Sequence, residues 1–285
     1  MDTARREPSA GALAPSGAPR TITLLTATLA FGLVLMFALS LLFASDPTGR
    51  WMRGGGDATH PALPQDVASG PLASPAPAPS GTGGFKLLEY QDDGSGEPVR
   101  WDPCRPVHYV VRTQGAPPGG QLAVERAVAE VERITGLRFT YDGTTAEPPT
   151  VDRPSQNRER YGERWSPVLV AWTDPAEYPH MKGYAGLGGP DTVTGSGPGS
   201  RRYVSGVVYL NAEHLSEVAT WADGQERIDA VVLHEFGHVI GLDHVDDPGE
   251  LMYRTPTAQS HTHGFEVGDR RGLAELSGGP CFRDF

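Results

Sequence analysis

The chain has 285 residues, a formal net charge of −11 at pH 7 and two cysteines. This length suits one domain of moderate size together with extensions. The acidic balance argues against nucleic acid as a partner, because domains that bind DNA or RNA present clustered Lys and Arg to the phosphates.

An uncharged apolar run follows the polar N-terminal residues 1–20. It extends from Ile22 to Phe43, which is long enough to cross the hydrocarbon core of a bilayer as a helix. The run is longer than the core of a usual signal peptide, and residues 43–46 form a poor cleavage site. We therefore predict a single transmembrane signal anchor over residues 21–44, with residues 1–20 as a cytoplasmic tail.

Two alternatives to an anchor are a cleaved signal peptide, which would leave a secreted protein, and a buried helix of a soluble domain. Arginines on both sides of the run give little positive-inside asymmetry. The orientation therefore rests on the usual behaviour of a first N-terminal segment. The prediction is a single-pass protein of the cell membrane whose bulk is extracellular.

Residues 54–84 consist mainly of Gly, Ala, Pro and Ser and show no apolar periodicity. Such a segment cannot form a hydrophobic core, and its Pro-Ala repeats favour extended polyproline geometry. Residues 45–84 are therefore predicted to be a disordered linker that holds a globular domain, residues 85–285, away from the membrane.

Strand and helix patterns fill the predicted domain. An amphipathic helix is predicted over Gln121–Thr135, with Gly136 as its stop, and a final helix near Asp269–Leu276. A glycine-rich stretch occupies residues 184–200. Short apolar runs predict strands at Val107–Arg112, Leu137–Tyr141, Val168–Trp172 and Val204–Leu210.

The most informative motif follows the last of these strands and reads H-E-x-x-H-x-x-G-x-x-H from His234 to His244. His234 and His238 lie four residues apart, so on a helix they share one face and can hold one metal ion. Gly241 permits the turn that brings His244 back as a third imidazole. Three neutral nitrogens with an open fourth position are typical of catalytic zinc, and Glu235 lies where a general base belongs.

The segment that follows the third histidine makes this pattern resemble the metzincin family. Residues 248–253 read Pro-Gly-Glu-Leu-Met-Tyr, and metzincins place a methionine turn beneath the metal, here at Met252. Leu-Met-Tyr at this distance is most similar to the matrixins, whereas astacins carry Glu where this chain has Val245. The resemblance is specific over residues 228–255 and covers only the order of elements over residues 104–227.

The resemblance implies an α+β fold of the metzincin (zincin) type. Its domain has a twisted mixed sheet, an active-site helix and a C-terminal helix, here after a transmembrane helix and a Pro/Ala/Gly linker. It implies a zinc-dependent endopeptidase that hydrolyses peptide bonds of extracellular proteins through a zinc-bound water activated by Glu235. An edge strand near Tyr184–Leu187 would bind an extended peptide as an added strand. The expected partners are a peptide or protein substrate and the membrane, and we expect a monomer.

Two other functional classes deserve comparison. A binding module that had lost the chemistry would not need an intact set of His234, Glu235, His238 and His244. A zinc hydrolase acting on substrates other than peptides would not be expected to carry the methionine turn.

The chain departs from the matrixin pattern in two respects. No cysteine-switch propeptide motif is present, and Cys104 is the only thiol upstream of the histidines. We expect Cys104 to form a disulfide with Cys281, since an exported domain is exposed to oxidation; an inhibitory thiolate on the zinc is the alternative. The histidines for a structural zinc are missing, while Asp191 and Glu213 leave structural calcium open.

Three further roles stay open from the sequence. Tyr253 could line the substrate pocket on its resemblance to the matrixins, and His261 or His263 could contact a substrate side chain. Asp243 could orient a zinc ligand.

Overall fold

A six-stranded mixed sheet organises the part of the chain that the computed structural model describes, residues 66–254 and 264–282. The predicted anchor, with its apolar run from Ile22 to Phe43, lies outside these residues, as do His261 and His263. Within the two described ranges, no helix has the length and apolar character needed to cross a membrane.

The strands are numbered here in chain order. They are β1 (Lys86–Leu87), β2 (Arg100–Trp101), β3 (Val107–Arg112), β4 (Phe139–Thr144), β5 (Val168–Thr173), β6 (Gly186–Thr194), β7 (Arg201–Asn211) and β8 (Leu242–Asp243). In the large sheet, β4, β3, β5 and β7 are parallel neighbours, and the short β2 is parallel to the start of β7. Strand β6 runs antiparallel along β7 and forms the edge of the sheet. The mixed sheet predicted from the sequence is thus present.

Five α-helices accompany the strands in the described ranges. They are α1 (Gly120–Thr135), α2 (Arg158–Tyr161), α3 (Ala212–Val218), α4 (Gly224–Ile240) and α5 (Val267–Leu276). Helix α1 buries the apolar face that the sequence predicted and ends at Gly136, as expected. Helix α4, which contains the histidine motif, begins after Asp223, whose side chain pairs with Arg227 instead of capping the helix.

The core lies on both faces of the sheet, because alternate residues of a strand point in opposite directions. Strand β5 is buried along its whole length, as central parallel strands usually are. Val168, Val170 and Trp172 face the cluster that contains α1 and α4, while Leu169 and Ala171 face a smaller cluster with Met181 and Tyr209. The histidine helix therefore packs against the main hydrophobic core.

The glycine-rich stretch forms an edge strand that is longer than the one predicted near Tyr184–Leu187. Residues Gly186–Thr194 form β6, which pairs with β7 over nine positions with one irregularity near Asp191. Glycine disfavours strands in isolation, so local propensity hides this element. Pairing with the long strand β7 is the non-local contact that defines it.

The predicted linker also differs from the structure where the two overlap. Residues 66–84, here called the N-terminal strap, hydrogen-bond to the domain. The amides of Ala68 and Ala76 donate to the carbonyls of Cys104 and Ile134, each at 2.9 Å. At its other end, Arg271 donates to the Gly83 carbonyl at 2.9 Å. A Gly/Ala/Pro-rich segment can dock through its backbone alone, which apolar periodicity does not reveal.

The predicted disulfide is present and joins Cys104 to Cys281 across 177 residues of sequence. Their Cα atoms lie 5.4 Å apart, and no cysteine among the described residues is free. Cys104 is therefore not available as a thiolate ligand of a metal. The bridge connects the segment before β3 with the segment after α5.

Reduction of this disulfide should lower the melting temperature of the protein. A loop of this length contributes about 5 kcal/mol on the chain-entropy model, before any strain in the folded state. Calorimetry with and without reductant measures the effect, and a Cys104→Ser/Cys281→Ser variant should match the reduced protein. Two free thiols in the unreduced, denatured chain would contradict the bridge.

Candidate metal centre

Helix α4 and the turn after it bring the three predicted histidines together. His234 and His238 lie one turn apart on α4, and the helix ends at Gly241. Gly241 has φ of 120°, and a Cβ atom there would lie 2.9 Å from the ring of Tyr203. Both the backbone conformation and the close packing therefore require glycine at this position. Strand β8 then returns the chain so that His244 faces the helix.

The ring nitrogens of these histidines have the spacing that zinc needs. The Nε2 atom of His244 lies 3.2 Å from the Nε2 atom of His234 and 3.2 Å from that of His238. Tetrahedral zinc with bonds of about 2.0–2.1 Å places its nitrogen ligands about 3.3 Å apart. The group as a whole can hold a metal ion, and its donor atoms match zinc.

Backbone carbonyls fix the orientation of two of the rings. His234 donates from Nδ1 to the Leu251 carbonyl at 2.8 Å, and His238 donates from Nδ1 to the Leu242 carbonyl at 2.8 Å. A proton held on Nδ1 leaves the Nε2 lone pair free for a metal. Each carbonyl therefore selects both the tautomer and the direction of its ring.

Burial keeps all three imidazoles neutral. It lowers the pKa of His234 to about 3, with the nearby His238 adding to the shift, and it lowers the pKa of His238 to about 4. The pKa of His244 is also lowered, first by burial and then by the other two histidines. A neutral ring offers its lone pair without first losing a proton, so the site favours metal binding at neutral pH.

Glu235 lies on α4 beside these ligands and is itself buried. Burial raises the pKa of its carboxyl group to about 8, although the Gly188 amide donates a hydrogen bond to it. A carboxyl group whose pKa lies near neutrality can both accept and donate a proton. Glu235 therefore has the proton affinity of a general acid–base group.

The predicted methionine turn packs beneath α4. Met252 is buried and packs against Gly237 of α4. A Cβ atom added to Gly237 would lie only 2.6 Å from the Sδ atom of Met252. The turn is held from below by Asp269, which accepts from the Leu251 amide at 2.7 Å and from the Met252 amide at 3.3 Å. Because the Leu251 carbonyl orients His234, these hydrogen bonds connect α5 to the first ligand.

A second carboxylate completes the support of this turn. Glu250 accepts from the amides of Gly268 and Asp269 at 2.8 and 3.0 Å, in the first turn of α5. Burial, and then the nearby Glu250, raise the pKa of Asp269 to about 7. The two carboxylates therefore lie close enough to interact, and α5 is the element that holds both.

The turn that carries His244 is held by β1. Lys86 and Leu87 pair with Asp243 and Leu242, and the Leu88 amide donates to the Gly241 carbonyl at 2.9 Å. Asp243 accepts from the His244 amide at 2.7 Å, so it orients the backbone of a ligand and not its ring. The segment directly after the strap thus borders the metal centre.

The described residues show no convergent group of acidic side chains for the structural calcium that the sequence left open. Among the described residues, the three histidines are the group of three or more His, Cys, Asp or Glu side chains whose ligand atoms converge. Burial raises the pKa of Asp191 to about 6, although the nearby charge of Arg153 acts to lower it, and Glu213 is exposed at the start of α3.

Tyr253 pairs through its backbone with Val245, and its place in a substrate pocket stays a prediction.

The sequence did not reveal the residues that hold the histidines and the methionine turn in place. Asp269 and Glu250 carry no motif, and the carbonyls of Leu251 and Leu242 act through the backbone, which side-chain patterns do not report. One signal was present: Asp269 begins the predicted last helix, where a carboxylate is expected at a helix start. Its second contact, with the methionine turn, depends on tertiary packing.

Comparison with known proteins agrees with this geometry. Residues 188–278 match the family model described as Matrixin. Matrilysin of Felis catus is 35% identical over 111 residues, which cover 32% of this chain and 42% of that protein. Macrophage metalloelastase of Oryctolagus cuniculus is 34% identical over 70 residues, covering 24% of this chain and 15% of that protein. The chain thus spans less than half the length of these relatives.

A solved structure of archaemetzincin from Methanopyrus kandleri is also similar. It matches at 17% identity with a TM-score of 0.38 and covers 58% of this chain and 92% of that one. The family match begins within β6 and continues through the histidine helix, the methionine turn and α5. Over residues 188–278 the chain is therefore similar to the matrixins, and its three convergent histidines agree with that similarity.

Proposed function

We propose that this protein is a zinc-dependent endopeptidase that cleaves peptide bonds within extended segments of extracellular proteins. The observation that carries the proposal is the buried Glu235 carboxylate beside three convergent imidazole nitrogens. The names of two similar proteins, matrilysin and macrophage metalloelastase, agree with peptidase chemistry.

The roles of the residues follow from their chemistry. His234, His238 and His244 would hold the zinc ion, which when bound lowers the pKa of water and polarises a carbonyl group. Glu235 would accept a proton from the attacking water at a carboxylate oxygen and then pass it to the nitrogen of the leaving amine. Its raised pKa suits both transfers, since the same group must take and release one proton per turnover.

The edge strand β6 supports a peptide as substrate. It lies at the edge of the large sheet, and its Gly188 amide reaches Glu235. An extended peptide could add to this edge as a further strand, which would place its backbone beside the catalytic carboxylate. Recognition through the backbone does not require a chain terminus, so cleavage inside a chain is the expected outcome.

Extracellular action is part of the proposal. The Cys104–Cys281 disulfide is typical of exported proteins, and the apolar run from Ile22 to Phe43 would place the domain outside the cell as a signal anchor. Release after signal cleavage is the alternative route to the same compartment.

Glu235→Gln should keep zinc and lose activity. The amide cannot accept the proton from water, while the three imidazoles are unchanged, so kcat/KM should fall on the order of 10²-fold or more. Zinc content is measured by elemental analysis and turnover by hydrolysis of an unfolded protein substrate. Glu226→Gln, at the exposed start of α4, is the matched control and should retain activity. Wild-type turnover by zinc-loaded Glu235→Gln would exclude the assigned role.

Removal of zinc should abolish activity and lower the melting temperature, and one equivalent of zinc should restore both. A ligand present at 100 times its Kd stabilises the folded state by about 2.7 kcal/mol, provided that it binds only that state. His244→Ala should weaken zinc binding because it leaves two imidazoles, whereas His180→Ala serves as a histidine control outside the centre. Full activity in a chelated, zinc-free sample would show that the metal is not catalytic.

A further inference from the structure

The edge strand β6 crosses the histidine helix at Glu235, and it consists of glycines at the crossing. Gly186 and Gly188 lie two residues apart, so the hydrogens that replace their side chains point to the same face of the sheet. That face lies against α4. Gly186 is buried and Gly188 is half-buried, so neither position opens freely to solvent.

A methyl group at either position would collide with Glu235. A Cβ atom on Gly186 would lie 2.6 Å from both Cγ and Oε1 of Glu235. A Cβ atom on Gly188 would lie 2.4 Å from the backbone oxygen of Glu235. Neither glycine is among those with positive φ, so the reason for glycine here is clearance and not backbone conformation.

The two glycines differ in what they contact. Gly188 approaches the backbone of α4, so it sets how closely the strand and the helix pack. At Gly186, the three atoms nearest to an added Cβ all belong to the side chain of Glu235. The Gly188 amide also donates to the Glu235 carboxylate, which ties that carboxylate to the strand. The space at Gly186 is therefore the space in which the bound carboxylate lies.

We propose that Gly186 is a positioning residue for Glu235: its missing side chain leaves the volume that holds the carboxylate in its catalytic orientation. This inference rests on the proposed function, in which Glu235 transfers the proton. A general base must be held within a fraction of an ångström of its productive position, and displacement of about 1 Å can cost about 10²-fold in rate. Gly186 acts through Glu235, because the three atoms nearest to a Cβ at this position all belong to the Glu235 side chain.

The first test is Gly186→Ala in the full chain. The new methyl group should push the Glu235 side chain into another rotamer, because the side chain is free to move where the backbone is not. We expect kcat/KM for an unfolded protein substrate to fall at least tenfold, with zinc content and melting temperature unchanged. Gly84→Ala is the matched control, since no atom lies within 4 Å of a Cβ there and its φ is not positive.

The second test repeats the substitution in the Glu235→Gln background. If Gly186 acts only through the carboxylate, Gly186→Ala should cause no further loss there, so the two changes are not additive. A structural role would instead lower the residual activity by the same factor in both backgrounds. Residual turnover in the Glu235→Gln background is followed over long incubations with the same substrate.

The outcomes separate the two ideas. Wild-type kcat/KM in Gly186→Ala, additive losses in the double variant, or loss of zinc or of cooperative melting in Gly186→Ala would each overturn the positioning role. Wild-type turnover in zinc-loaded Glu235→Gln would instead overturn the proposed function, whatever Gly186→Ala does.

Discussion

The structure depends on holding three neutral imidazoles together in a buried site, with the Nε2 atom of His244 3.2 Å from the Nε2 atoms of both His234 and His238. Buried polar rings are costly unless each finds a partner, and only one nitrogen of each ring is reserved for the metal. The Leu251 and Leu242 carbonyls satisfy the second nitrogen of His234 and His238. Each of these carbonyls has its own support: Asp269 positions the turn that contains Leu251, and β1 pairs with the strand that contains Leu242.

The sequence predicts that the three histidines converge, because their spacing is local. His234 and His238 share a helical face by periodicity alone, and Gly241 marks the turn to His244 through its own conformational freedom. The main strands and the first amphipathic helix are also visible, because burial imposes apolar runs of period 2 or 3.6 on them. The disulfide is predictable for a different reason, since two cysteines allow only one pairing within the chain.

The structural features that the sequence does not predict depend on contacts between segments far apart in the chain. Strand β6 has the composition of a loop, so the sequence suggests an edge strand only near its start, and pairing with β7 determines its full length. The strap has the composition of a linker and docks through backbone amides at Ala68 and Ala76. Asp269 could be placed at a helix start, yet its hydrogen bonds to the methionine turn follow only from the packing of α5. In each case the deciding partner is remote in sequence, so no window of residues contains the information.

Because of these contacts, the geometry of the metal centre depends on segments from both ends of the described domain. One side of the centre is held by β1, just after the strap, and the other by α5, just before the disulfide cysteine Cys281. The disulfide joins the end of the chain after α5 to the segment beneath the strap, where Ala68 bonds to Cys104. Because a ligand that binds only the folded state stabilises that state, zinc affinity and domain stability are linked through these supports. A substitution far from the histidines can therefore change metal occupancy without touching a ligand, provided that it loosens β1 or α5.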